Sequence, residues 1–347
     1  MIIPIAGVLL GLVCLFLAFM GNPANMSLCV ACFARDISGS LALHSVEGLQ
    51  YLRPEIPGII LGAFIVSMLF KEHSPRGGSA PVTRFVLGFA VMIGAMVFLG
   101  CPTRMLLRLA GGDFNALVGF AGFIFGVGTG VLFLNRGFTL ERNYSQPKTE
   151  GFVFPFINFG LLFLLIVAPS LLLFSHTGAG SFHAPIWASL TAGLIAGVIA
   201  QKTRLCFISG IRDAILFKQF HGLAVFAALL LTVFIGNLIM GNFNPGFANQ
   251  PIAHTDALWN ILGLYLVGFA SVLLGGCPFR QLILAGSGNS DSAVTVLGFL
   301  AGGAFVHNFR TASSPAGVTT NGMVAVGISI IVVLIIAFTN TKRFGND

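Results

Sequence analysis

Two short motifs in this chain place thiols, cations and carboxylates at fixed spacings, and each occurs twice. Leu28-Cys29, followed by Arg35-Asp36 and His44, recurs as Leu205-Cys206, Arg212-Asp213 and His221 at an offset of 177. Gly100-Cys101-Pro102-Thr103-Arg104, with Leu106 and Gly112, recurs as Gly276-Cys277-Pro278-Phe279-Arg280, with Leu282 and Gly288, at an offset of 176. Proline fits the first helical turn, where its missing N–H is no loss, so Cys101 and Cys277 are predicted to cap the N-termini of short helices. Such an end offers unpaired N–H groups and the positive pole of the helix dipole, a setting that favours a thiolate or a bound anion. Arg104 and Arg280 fall about one turn further in, where a cation is disfavoured by roughly 0.3–1 kcal/mol. An anion held between dipole and guanidinium resolves that conflict; the plainer alternative is that each arginine snorkels or pairs with a carbonyl.

In the other motif Cys29, Cys32 and Asp36 fall at i, i+3 and i+7 and share one helix face, as do Cys206, Ser209 and Asp213. Such a stripe lines a path, while Arg35-Asp36 and Arg212-Asp213 serve equally well as structural pairs. His44 and His221 are expected to cap the C-terminal ends of these segments. His176, His183, His254 and His307 have no counterpart in the other copy and receive no role. Cys29-Val30-Ala31-Cys32 also has the spacing of a redox dithiol. Yet the second copy has Ser209 where the first has Cys32, so what is duplicated is the single thiol. Cys14 reads as an ordinary small buried residue. No metal site and no cofactor are implied: there is no phosphate loop, no H-E-x-x-H and no G-x-G-x-x-G. This chain therefore does not hydrolyse nucleotide to drive transport, and it is not expected to be an enzyme.

The elements that position these residues must lie in lipid. Of 347 residues, 56% are apolar and 8% charged, where a soluble domain carries about 25% charged residues; the mean hydropathy is +0.94. Soluble enzymes, nucleic-acid binders and disordered chains are excluded, and so is a nucleic-acid partner. The six cysteines lack the spacing of a secreted disulfide framework and are expected to be free thiols. The first twenty residues lack a basic lead and a cleavage site, so they read as a retained membrane helix.

Crossing about 30 Å of hydrocarbon takes about 20 apolar residues. Ten segments qualify: 3–21, 55–71, 82–99, 114–134, 153–175, 184–200, 222–241, 257–275, 291–310 and 318–340. Four stretches between them, 25–45, 101–112, 202–220 and 277–288, are too short or polar and are predicted re-entrant half-helices. The expected fold is thus an all-α polytopic membrane protein of about ten transmembrane helices and four half-helices. It is divided into repeats 1–176 and 177–347 within one membrane domain. Five crossings per repeat would invert the second copy relative to the first. Glycines such as Gly119, Gly122, Gly126, Gly128 and Gly130, and Gly298, Gly302 and Gly303, permit close helix packing.

The net charge of +7 is expected to report topology. The side holding the N-terminus collects Lys71, Arg76, Arg84, Arg136, Arg142, Lys148, Lys202, Arg204, Arg212, Lys218, Arg280, Lys342 and Arg343. The other holds only Arg35, Arg53, Arg104, Arg108 and Arg310. The bias persists without the half-helix residues, so both termini are expected to be cytoplasmic.

The twin L-C-x5-R-D and G-C-P motifs resemble the YeeE/YedE family of bacterial inner-membrane proteins over nearly the whole chain. The stretch Asn22-Pro23-Ala24-Asn25-Met26 through Cys29 to Asp36, with Arg53-Pro54-Glu55 after it, resembles the branch named for selenium metabolism, YedE/FdhT-like. The resemblance implies re-entrant loops pinching an hourglass at mid-membrane and cysteines passing an anion inward, with Cys29 or Cys32, Cys101, Cys206 and Cys277 as candidates. It points to import of a small soft anion, a selenium species or thiosulfate, for which weak serial thiol contacts do not form a trap. Two other classes stay open: a membrane thiol-disulfide oxidoreductase moving reducing equivalents across the membrane, and a delivery partner handing sulfur or selenium to a small cytoplasmic carrier protein.

Overall fold

The computed structural model describes residues 2–341; Lys342 and Arg343 of the charge count lie outside them. The chain folds as an all-α polytopic membrane protein whose helices are α1 (Ile2–Phe19), α2 (Val30–Ser40), α3 (Glu55–Leu69), α4 (Pro81–Phe98), α5 (Pro102–Ala110), α6 (Phe114–Asn135) and α7 (Lys148–Val167). They are followed by α8 (Ile186–Thr203), α9 (Phe207–Phe217), α10 (His221–Met240), α11 (Ala257–Leu273), α12 (Pro278–Gly286), α13 (Ser290–Asn308) and α14 (Thr320–Thr339). Two short strands, β1 (Arg76–Gly77) and β2 (Tyr144–Ser145), pair antiparallel in the loops.

Seven helical stretches are long and apolar enough to cross a membrane: Pro81–Ala110, Phe114–Asn135, Lys148–Val167, Ile186–Phe217, His221–Met240, Ala257–Gly286 and Thr320–Thr339. Three of these join a long helix to the short one that follows it. Pro4–Phe19 and Glu55–Leu69 are apolar but shorter. At about 1.5 Å per residue, the 15 residues of α3 reach about 22 Å. The largest shift from expectation is at 153–175. There the helix begins at Lys148 and stops at Val167, because Pro169 ends it and a 3-10 turn follows. The apolar run beyond it leaves the helix and packs under the α2–α3 loop. Leu165 and Leu172 bury Leu52, and the Leu173 and Ser175 N–H groups donate to the Ser40 and Gln50 carbonyls.

Close packing rests on small residues. A Cβ on Gly62 would strike the Leu194 backbone, one on Gly197 the Ile59 carbonyl, and Gly58 faces Gly193. Thus α3 and α8 approach backbone to backbone. On α6, Gly122 and Gly126 likewise press against the backbone of α11 at Ile261 and Tyr265, whereas Gly128 faces open space. The contacts fall in matching pairs: α3 with α8 and α1 with α10, α6 with α11 and α4 with α13, α3 with α12 and α5 with α10. The last helix of each set departs from the pattern, α7 lying on α3 and α14 on α4 and α11.

The loops gather at two faces. At one, 74–79 meets 140–146 and 287–291, and Thr139 bonds Asn340. At the other, 48–53 meets 175–182, 111–113 meets 244–246, and Leu43 meets Asn308. Because α1 runs parallel to α10, with Gly7 against Val225 and Gly236 against Leu15, the chain starts at the face where Thr341 ends the described residues.

Candidate functional site

The half-helices place the duplicated cysteines alike. Cys29, Cys101, Cys206 and Cys277 are the N-cap residues of α2, α5, α9 and α12. The first and third helices have 11 residues each and the second and fourth 9. Proline at the first helical position predicts two of these caps. The other two, followed by Val30 and Phe207, carry no such signal. Before the prolines the chain turns through a left-handed residue, Leu99 (φ 63) in one copy and Gly275 (φ 78) in the other.

Within each copy the two N-termini face each other. The Cys101 sulfur lies near the Cys29 thiol. In the second copy the Cys277 N–H donates to the Cys206 sulfur at 3.5 Å. The six cysteines are free, and Cys206 alone is not fully buried. Cys32 stands 2.7 Å from Cys29, sulfur to sulfur. Cys14, read from sequence as unremarkable filler, packs beside Ser27 and near Cys101.

The two arginines behave differently. Arg104 is fully buried and its fork is occupied. Nη1 donates to the Leu99 carbonyl at 2.6 Å and the Cys32 sulfur at 3.4 Å, Nε to the Asn25 carbonyl at 3.1 Å, and Nη2 to Asn25 Oδ1 and the Ile252 carbonyl. Arg280 lies near Cys206 and Cys277, and its Nη1 is buried without a partner. A free guanidinium N–H beside two thiols and two helix N-termini can donate to an anion.

Asp36 and Asp213 sit on the expected faces but turn away from the thiols. Asp36 is held by Arg35 at 2.7 Å and Arg53 at 2.8 Å, all three buried, and Arg53 also donates to the Ala179 and Phe182 carbonyls. Asp213 pairs only with Arg212, half-exposed. Ser209 turns its hydroxyl back onto the Cys206 carbonyl. His44 bonds the Arg35 carbonyl at 3.1 Å and lies tilted against the His307 ring, 4.9 Å between centroids. His221 departs from the expected C-cap: α9 closes on left-handed Lys218, whose N–H returns to Asp213, and His221 begins α10, exposed.

Sequence reasoning missed the polar surroundings of Arg104. A cavity of about 260 Å³ is lined by Asn25, Arg108, Asp113, Asn237, Asn244 and Gln250, among others. Arg108 is locked to Asp113 at 2.6 Å and lies over the Phe98 ring. Asn25, inside the Asn-Pro-Ala-Asn-Met stretch, links this cavity to Arg104 and thence to Cys32. A larger concavity, about 660 Å³ between α4, α13 and α14, is apolar and lies away from the thiols.

Residues 202–343 match the family described as sulphur transport. Over 108 residues the chain is 32% identical to the thiosulfate transporter TsuA of Spirochaeta thermophila, an alignment covering 30% of this chain and 31% of that protein. The aligned part spans about a third of the length of this curated relative. Cys206, Cys277 and Arg280 all fall within the matched region, so the second half of the chain is similar to the sulphur transport family, in line with the YeeE/YedE resemblance of its twin motifs.

Proposed function

We propose that the protein is an inner-membrane transporter that imports a small soft sulfur or selenium anion, thiosulfate or a selenium species, along cysteine thiols and half-helix N-termini. The observation that carries this reading is the placement of the four duplicated thiols at four half-helix N-caps, facing each other in pairs. Each pair offers weak S–H donors, backbone N–H groups and the positive ends of two dipoles, enough to hold an anion and weak enough to release it. Two inverted repeats, 1–176 and 177–347, would set the Cys29/Cys101 pair toward the outside and the Cys206/Cys277 pair toward the cytoplasm. Arg280, with its free N–H, would receive the anion on the inner side, where a small sulfur or selenium carrier protein could accept it.

The test is uptake of labelled thiosulfate and selenite into proteoliposomes, comparing the intact protein with Cys101→Ala/Cys277→Ala. Thiol-dependent uptake, reduced at least tenfold in the double variant, is the expected result; unchanged uptake would sink the thiol path. A second reading, the thiol-disulfide oxidoreductase, is favoured by one observation, the 2.7 Å approach of Cys29 and Cys32. It predicts no uptake of either anion, with these two thiols cycling between dithiol and disulfide during turnover.

A further inference from the structure

Glu55 opens α3 with its carboxylate completely buried. One oxygen is well supplied: Asn22 Nδ2 donates to Oε1 at 2.8 Å and Ser189 Oγ of α8 at 3.0 Å. Among the described residues the other, Oε2, has no partner, and the buried hydroxyl of Tyr51 has none either. The titratable and charged groups around it are Tyr51 and Arg53 on the approach to α3 and His183 ahead of α8, whose ring stacks on Tyr51 at 3.8 Å. The Arg53 guanidinium is committed to Asp36 and two carbonyls, so it does not pair with Glu55.

The carboxylate is also wired to the thiol site. Asn22 donates to the Ser27 carbonyl as well as to Glu55, and its Oδ1 receives the Ala184 N–H. It therefore anchors the segment 22–28, which carries Asn25, the partner of Arg104, and leads into the Cys29 cap. A change of charge at Glu55 acts on that segment through Asn22.

We propose that Glu55 is a proton-binding site that couples anion uptake to proton inflow. This rests on the transporter reading above. A multivalent anion moving inward meets an inside-negative potential, so its accumulation requires charge compensation, which an accompanying proton supplies. A buried carboxylate with one unpartnered oxygen is suited to take up that charge. The Asn22 and Ser189 donors are spent on Oε1 while the Tyr51 hydroxyl nearby stays unpaired, and a single open oxygen fits a proton, whereas a hard metal cation requires several oxygen ligands. A proton from the outer solution adds to Oε2 to give the neutral acid, and its loss toward the inner side restores the carboxylate; no other bond changes.

The experiment uses proteoliposomes holding a lumenal pH dye, with thiosulfate and selenite as the probes. For the intact protein, an acid-outside gradient is expected to raise initial uptake at least fivefold and to acidify the lumen in step with the anion. Glu55→Gln, which keeps the Oε1 acceptor, is expected to lose proton movement and to flatten the pH profile, while Glu55→Asp retains both. Proton movement unchanged in Glu55→Gln overturns the assignment, and uptake by the intact protein without proton movement overturns the coupling. If Glu55→Gln is not recovered as a monodisperse protein, Glu55→Ala is read by the same criteria. No uptake by the intact protein under any gradient refutes the transporter reading itself.

Discussion

At the scale of single residues, Asp36 and Asp213 occupy equivalent motif positions and carry different energetic weight. Asp36 neutralises two guanidiniums in a fully buried cluster, so Asp36→Asn leaves Arg35 and Arg53 facing each other without their counter-charge. Removing one partner of a buried ion pair costs about 3–5 kcal/mol. Asp213 holds one arginine with both side chains 30% exposed, and such a pair contributes at most about 1 kcal/mol. Asp36→Asn is therefore expected to lower the melting temperature in detergent markedly and Asp213→Asn hardly at all. Equal shifts in the two variants would show that the Arg53 arm adds nothing. The divergence has a readable cause. In the second copy α10 begins at His221 and, among the described residues, no second arginine reaches Asp213, and the 17-residue separation of Asp36 and Arg53 hides their pairing until the α2–α3 loop has folded back.

At the scale of elements, the half-helices were the most legible part of the chain, because cysteine, proline and a polar interruption mark where an apolar run breaks. The twin spacing of Cys101-Pro102 and Cys277-Pro278 foretold both caps. The caps at Cys29 and Cys206 were hidden, since Val30 and Phe207 are as common inside a helix as at its start. The end of α7 was misread for a related reason: Leu171 to Phe174 is as apolar as a membrane helix, and its true role, covering Leu52, depends on a distant loop. Helix packing yields a prediction of its own. Gly62 lies against the Leu194 backbone, while nothing lies within 4 Å of a Cβ built on Gly128. Gly62→Leu forces α3 from α8 at a cost of about 1–3 kcal/mol or more, because neither backbone can yield. Gly128→Leu is expected to leave the melting temperature in detergent unchanged. Equal tolerance of both would show that the α3–α8 seam is not tightly packed.

At the scale of the whole molecule, the direction of transport depends on which loop face meets the cytoplasm. The face formed by 74–79, 140–146 and 287–291 carries Arg76, Arg142 and the start of α7 at Lys148, while Arg53 on the opposite face is consumed in an internal ion pair. Cations free to be held back during insertion are therefore concentrated on one face, and by the positive-inside rule we propose that this face is the cytoplasmic one. Single cysteines at exposed positions read this out: Arg142→Cys on the first face and Asn249→Cys on the second. The native thiols offer little background, being buried apart from the partly covered Cys206. An impermeant maleimide is expected to label Asn249→Cys in intact spheroplasts and Arg142→Cys only after permeabilisation. The reverse pattern would turn the protein over. Cys206, Cys277 and the free N–H of Arg280 would then face outward and meet the external anion first, and the saturated Arg104 would face inward.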